Sequence, residues 1–138
     1  MITKKKITFN INKLVISNYT HPLIVPEIGI NHSGNIETAF KIVDAAKRAG
    51  AKIIKHQTHI ADNEYSFEGR KIKPGNSKKN IFQIIKSTSL NEEEEFKLLK
   101  YVKKKNMEFL STPFSFKAVD RLVKFKVPVF KVGSGEAL

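Results

Sequence analysis

The sequence predicts an α/β fold built on parallel strands, and three observations carry that prediction. Short β-prone runs alternate with helical periodicities in the order strand, helix, strand, helix, strand, helix, strand. The first of these units closes within about 35 residues, the length of a βαβ crossover, whose strands run parallel. Polar residues also recur at the carboxyl end of every strand, which is the edge where parallel α/β folds bind ligands. An open doubly wound sheet and part of a (β/α)8 barrel both satisfy this pattern.

With 138 residues the chain is long enough for a sizeable core, and no linker divides the main fold. Cysteine is absent, which excludes a disulfide framework and a cysteine zinc site. No apolar run is long enough to span a membrane, and the opening residues lack the apolar core of a secretory signal. A cytoplasmic protein with no membrane partner is expected. The net charge of +12 permits anionic partners. Its lysines are scattered over predicted helix faces, however, and no nucleic-acid-binding module is visible, so no nucleic-acid partner is expected.

Taken in order, residues 6–18 hold two β-prone runs, ITFNI and LVISN, around Asn12 and Lys13, and predict a hairpin. This assigns residues 1–20 to an N-terminal hairpin and 21–138 to the main domain. Residues 22–29 predict the first core strand, with Leu23, Val25 and Glu27 on one face. The polar loop INHSGN follows, and Asn35 is placed to cap a helix over 37–49. Ala39, Ile42, Val43 and Ala46 form that helix's apolar face, and Gly50 stops it.

The next strand lies in AKIIKHQTH, residues 51–59. Alternation puts Ile53, Lys55 and Gln57 on one face and Ile54, His56 and Thr58 on the other. A lysine there needs a partner, solvent or an anion. Residues 60–80 are polar and aperiodic, which predicts a long loop, either functional or disordered. A short helix over 81–86 then carries Phe82 and Ile85 on one side. Asn91 caps the next long helix, whose stripe is Phe96, Leu99 and Val102. The four glutamates at 92–95 read as favourable charge at the helix start and as solvated surface.

A third strand, residues 107–111, ends in Thr112-Pro113. Ser115 opens a helix with Ala118, Val119, Leu122 and Val123 on its face. Residues 128–132 predict the fourth strand, with Val129 and Lys131 on one face, running into GSGE.

The strand ends therefore bring together Glu27; Lys55 with Gln57; Ser111 with Thr112; and Lys131 with Ser134 and Glu136. Two lysines, several hydroxyls and the backbone N–H groups of 133–135 suit a phosphate or carboxylate. Glu27 and Glu136 suit sugar hydroxyls or proton transfer. His56 and His59 fall on opposite faces, His32 lies in the first loop, and His21 precedes the first strand. No metal site built from this chain is expected.

Five segments carry a resemblance: PEIGINHSGN, AGAKIIKHQTHI, IKPGN, FLSTPFS and FKVGSGE. In this order and spacing, over residues 22–136, the chain resembles the bacterial N-acetylneuraminate (sialic acid) synthases. KHQTH and PGN resemble the N-acetylneuraminate branch more than the legionaminate or pseudaminate synthases. The resemblance implies a partial (β/α)8 TIM barrel, its first four strands and three main helices, preceded by the hairpin. It implies condensation of phosphoenolpyruvate with N-acetylmannosamine, with Lys55, Thr112, Lys131 and Ser134 on phosphoenolpyruvate. Glu27, Gln57, Asn76 and Glu136 would surround the sugar and the attacking water, with Glu27 and Glu136 both candidates for its base.

The resemblance further implies a divalent metal, Mn2+ or Mg2+, whose ligands lie outside this chain. It implies a homodimer of the full-length enzyme, in which a C-terminal antifreeze-like domain reaches the other subunit's site. A whole barrel needs about 250 residues, so this chain alone is expected to be inactive. The alternatives are a synthase for another nonulosonic acid and a noncatalytic anion-binding half-barrel.

Overall fold

The computed structural model describes residues 7–136, with side chains through Gly135. Strand β1 (Thr8–Ile11) pairs antiparallel with β2 (Leu14–Ser17) across the Asn12–Lys13 turn. Asn12 takes φ +49, a left-handed conformation that Asn tolerates better than most residues. The Asn12 side chain donates to Glu108 Oε2 at 2.7 Å, which ties the hairpin to the start of a core strand. Lys6, the predicted first residue of the hairpin, lies outside the described residues.

The main sheet has three parallel strands: β3 (Glu27–Gly29), β4 (Ile53–Thr58) and β5 (Glu108–Pro113). Each lies beside the one before it in sequence, and Phe130 continues the order by a parallel bridge to Ser111. The order never reverses, as a doubly wound sheet requires it to do at its switch point. The crossovers are α1 (Ile36–Arg48) and α4 (Glu92–Lys104), and α5 (Phe116–Lys124) follows β5. Ile28, Ile54 and Phe109, one from each strand, are fully buried and form one cluster with Val43, Leu99 and Leu122 of the three helices. The helices thus cover one face of the sheet, the back, and leave the other as a front.

Caps set the helix starts. Asn35 accepts from Thr38 N at 2.9 Å, and Ser115 accepts from Ala118 N at 3.2 Å. Asn91 and Glu94 form a reciprocal capping box. Replacing Asn91 with Ala is expected to cost about 1 kcal/mol, seen as a lower urea midpoint with an unchanged denaturant slope.

Five predicted elements differ from the structure. The first strand is three residues long and not eight, because Pro22 and Pro26 have no N–H to give a ladder. Pro26 O still accepts from Lys55 N at 2.8 Å, while Ile24 and Val25 are exposed. The fourth strand reduces to the Phe130 bridge and the bond from Lys131 N to Ser111 O, with Pro128 again lacking a donor.

Residues 60–80 are more ordered than their composition predicts. They hold α2 (Ala61–Glu64) and a 3-10 turn at Gly69–Lys71, followed by α3 (Ile81–Thr88), which is capped by Asn80 with Gln83. Arg70 pins the segment, donating to Asp62 O and lying 4.5 Å over the Phe82 ring. The α4 stripe is Glu95, Leu98, Leu99 and Val102, with Phe96 moved to the rim against Phe125. On α5, Val123 is exposed and Ala118 with Leu122 do the packing. Among the described residues no helix is long and apolar enough to cross a membrane.

Candidate functional site

In a parallel pair, residues in register point to the same side, so the ladders assign each side chain to a face. Glu27 is in register with Lys55, and Gln57 with Thr112, all opposite to Ile54 and Phe109. These four predicted site residues therefore share the front. Gln57 and Thr112 lie near the carboxyl ends of β4 and β5, and Lys55 lies in mid-strand. Glu27 stands at the start of the shortened β3 and not at its carboxyl end as the sequence predicts. Phe130 packs against the back cluster, so alternation assigns Lys131 to the front as well.

Lys55 Nζ lies 2.6 and 2.8 Å from the two carboxylate oxygens of Glu27. Lys55 is mostly covered, whereas Glu27 is 41% exposed. The lysine thus has a partner and keeps a further N–H for a ligand. Gly29 adjoins them at φ +52. A Cβ built there would lie 3.2 Å from Glu27 Oε1 and 3.4 Å from Gln57 Oε1, which places Gln57 beside the ion pair. Gly29→Ala is expected to cost about 1–2 kcal/mol through its left-handed backbone and to push Glu27 off Lys55. Thermal melting, with binding measured in parallel, checks this.

Thr112 Oγ1 is buried and has no hydrogen-bond partner among the described residues, so its hydroxyl is free of the neighbours that are described. Lys131 and Ser134 are exposed at the strand end and in the turn Ser134–Glu136. Glu136 ends that turn, and its side chain lies outside the described residues. Asn76 is exposed in a turn closed by Ser77 N donating to Pro74 O, and among the described residues no bond joins it to the front face.

Ser111, grouped with Thr112 in the sequence, belongs to the back. There the structure holds a polar network that the sequence reading missed. Glu95, only 1% exposed, accepts from Thr58 Oγ1 through Oε1 and from Arg121 at 3.0 Å through Oε2. Thr58 and Ser111 hydroxyls are 2.7 Å apart. His56 Nδ1 lies 3.3 Å from Glu95 Oε1, within ion-pair reach though off the line of a well-aligned hydrogen bond. His56 Nε2 meets His32 Nε2 at 3.4 Å, and His32 Nδ1 accepts from Gly34 N.

Burial alone would raise the Glu95 carboxyl, but the His56 imidazole beside it and hydrogen bonds from Thr58 and Arg121 outweigh it and hold the group below the usual range. Burial, with His56 beside it, lowers His32 to about 4. Glu95 was legible after all: 95, 98, 99 and 102 are spaced i, i+3, i+4, i+7, which puts a glutamate in the buried stripe. The run of four glutamates disguised it.

His59 continues the front column beyond Gln57. Its ring stacks on Phe114 at 4.3 Å, and its Nδ1 lies 3.0 Å from Glu64. Among the described residues no group of three or more His, Asp or Glu side chains is arranged to hold a metal ion. Glu95, His56 and His32 are committed to one another, and Glu27 to Lys55, so these residues do not fit a divalent-metal cage. A cavity of about 680 Å³ lies at the other end of the strands, between β2 and residues 49–52. Its walls are largely apolar and include none of the predicted site residues, so it adds nothing to this site.

Comparison with known proteins gives the chain its family. The model of the NeuB family matches residues 42–138. An uncharacterized protein of Methanocaldococcus jannaschii is 36% identical over 82% of this chain and 31% of its own length. N,N'-diacetyllegionaminic acid synthase of Campylobacter jejuni is 33% identical over 83% of this chain and 35% of its own length. The crystal structure of an N-acetylneuraminic acid synthetase from Leptospira borgpetersenii superposes with a TM-score of 0.75. It is 25% identical and covers 92% of this chain and 41% of that one. The chain thus spans about a third of the length of the curated relatives it matches.

Proposed function

Because this chain belongs to the NeuB family, we propose that its front face is the phosphoenolpyruvate side of a nonulosonic acid synthase site. On this reading the sequential parallel strands, with α1, α4 and α5 on one face, are the opening part of a (β/α)8 barrel whose interior is the front. The observation that carries the proposal is the meeting on that one face of Glu27, Lys55, Gln57 and the Thr112 hydroxyl, which has no hydrogen-bond partner among the described residues.

In the proposed reaction, C3 of phosphoenolpyruvate attacks the aldehyde carbon of an open-chain N-acyl sugar and forms the new C–C bond. Water adds at C2, and phosphate leaves from the tetrahedral intermediate by C–O cleavage. Lys55 and Lys131 neutralise the phosphate and carboxylate, and Thr112 and Ser134 donate to their oxygens. Gln57 orients the sugar beside Glu27. Glu27 and Glu136 are the two candidates to take the proton of the attacking water. The divalent metal implied by the resemblance would polarise the aldehyde, and its ligands are assigned outside this chain.

N-acetylmannosamine is the proposed sugar, on the KHQTH and PGN segments. The relatives include synthases of legionaminic and pseudaminic acids as well, and a panel of N-acyl sugars offered with phosphoenolpyruvate separates the three.

Calorimetric titration of the chain with phosphoenolpyruvate tests the site. Binding that weakens with salt and competes with inorganic phosphate is expected. Heat unaffected by combined Lys55→Ala and Lys131→Ala replacement would refute it.

A further inference from the structure

We propose that Glu95 is a positioning residue for this site, acting from the back of the sheet to fix the side chains on its front. The inference rests on the front face being the anion site, and it concerns what holds that face in shape.

Donor counting gives the buried network a single direction. An ionised Glu95 only accepts. Thr58 must therefore donate to it, and having spent its proton must accept from Ser111. On the other branch His32 Nδ1 accepts from the Gly34 N–H, so a neutral His32 carries its proton on Nε2. His56 Nε2 then accepts, which leaves the His56 proton on Nδ1, facing Glu95. One carboxylate sets the proton positions from Ser111 on β5 to the 30–35 loop.

The back residues His56 and Thr58 alternate along β4 with the front residues Lys55 and Gln57, and Ser111 precedes Thr112 on β5. Holding the first set fixes the height of the second, because adjacent residues share a peptide plane. Arg121 on α5 anchors the carboxylate from its other oxygen.

Glu95→Gln shows why charge, and not volume, matters. If the amide oxygen faces Arg121, its NH2 faces Thr58 and His56, and His56 must accept at Nδ1. Its proton then moves to Nε2, against the proton on His32 Nε2. If the amide is turned round, NH2 opposes Arg121. Each orientation sets donor against donor inside a buried site.

The experiment uses the 138-residue chain, reading imidazole 15N shifts, the Gln57 side-chain amide signal, phosphoenolpyruvate affinity and the melting temperature. The unsubstituted chain should show His56 as the Nδ1–H form and His32 as the Nε2–H form. Glu95→Gln should change the His56 form and move the Gln57 signal, with affinity falling about tenfold, the size of one charged hydrogen bond. Glu95→Asp, which keeps the charge, should retain both imidazole forms. Thr58→Val, close in shape and free of the buried charge change, should also move Gln57, and Thr58→Ser should restore it. A lower melting temperature in Glu95→Gln and Thr58→Val with Gln57 and affinity unmoved would show a purely structural role and overturn the inference. Failure of the unsubstituted chain to bind phosphoenolpyruvate would instead overturn the site reading, and the imidazole and Gln57 signals would still decide the role of Glu95.

Discussion

Replacing Lys55 with Ala is expected to weaken phosphoenolpyruvate binding by roughly 10- to 150-fold, the range set by about 1.5–3 kcal/mol for a hydrogen bond to a charged group. The same change should move the melting temperature little. Its ion pair with Glu27 is open to water on the carboxylate side, and pairs of that kind contribute about 0–1 kcal/mol. Losing the pair leaves a solvated carboxylate, not a buried orphan. Binding and stability should therefore separate, which distinguishes a ligand-holding lysine from a structural one. Lys55→Arg keeps the charge but brings a planar fork in place of a point charge, and partial recovery is expected. An affinity unchanged in Lys55→Ala, measured by calorimetry at one salt concentration, would remove Lys55 from the site.

The front face was legible in the sequence because alternation along a strand is a strict period of two. Once Ile54 is taken as core, Lys55 and Gln57 must oppose it, and the ladder to Glu27 and Thr112 needed only the strand starts. The back network was illegible for the opposite reason. It joins one or two residues each from a loop, two strands and two helices, and each has an ordinary explanation alone. Ser111 was misassigned because it neighbours Thr112 in sequence, although neighbours in a strand face apart. Where the sequence overran the structure, proline was the cause. Residues 22–26 and 128 read as strand by hydrophobicity, yet Pro22, Pro26 and Pro128 lack the donors that a ladder uses. Residues 60–80 erred the other way, since Arg70 stacked on Phe82 orders a segment that has no apolar period of its own.

The stability of the fold should fall by about 1–2 kcal/mol between pH 6.5 and 4 on account of His32 alone, after allowance for solvent screening. Burial, with the neighbouring His56, lowers this histidine from 6.5 to about 4 in the folded protein. The depression sets the sign. Between those two values the unfolded chain binds the proton and the folded chain does not, so acid favours unfolding. The contribution is complete above 6.5 and is lost as the pH falls through that window. Glu95 acts with the same sign in a lower window. Burial opposes its ionisation, but the neighbouring His56 and bonds from Thr58 and Arg121 hold its carboxyl below the usual range, so further stability goes as the pH drops below ordinary carboxylate values. Urea midpoints measured across this range should therefore decline in two stages. His32→Gln, neutral at every pH, should flatten the first stage and leave the second. A first stage equally steep in that variant would place the buried proton uptake elsewhere. Because His32 lies in the loop that follows β3 and its Nδ1 accepts from Gly34, protonating it also breaks the bond that orders this loop beside Glu27. Mild acid should therefore loosen the edge of the site before the sheet itself unfolds, and hydrogen exchange at Gly34 should rise ahead of exchange at Ile54.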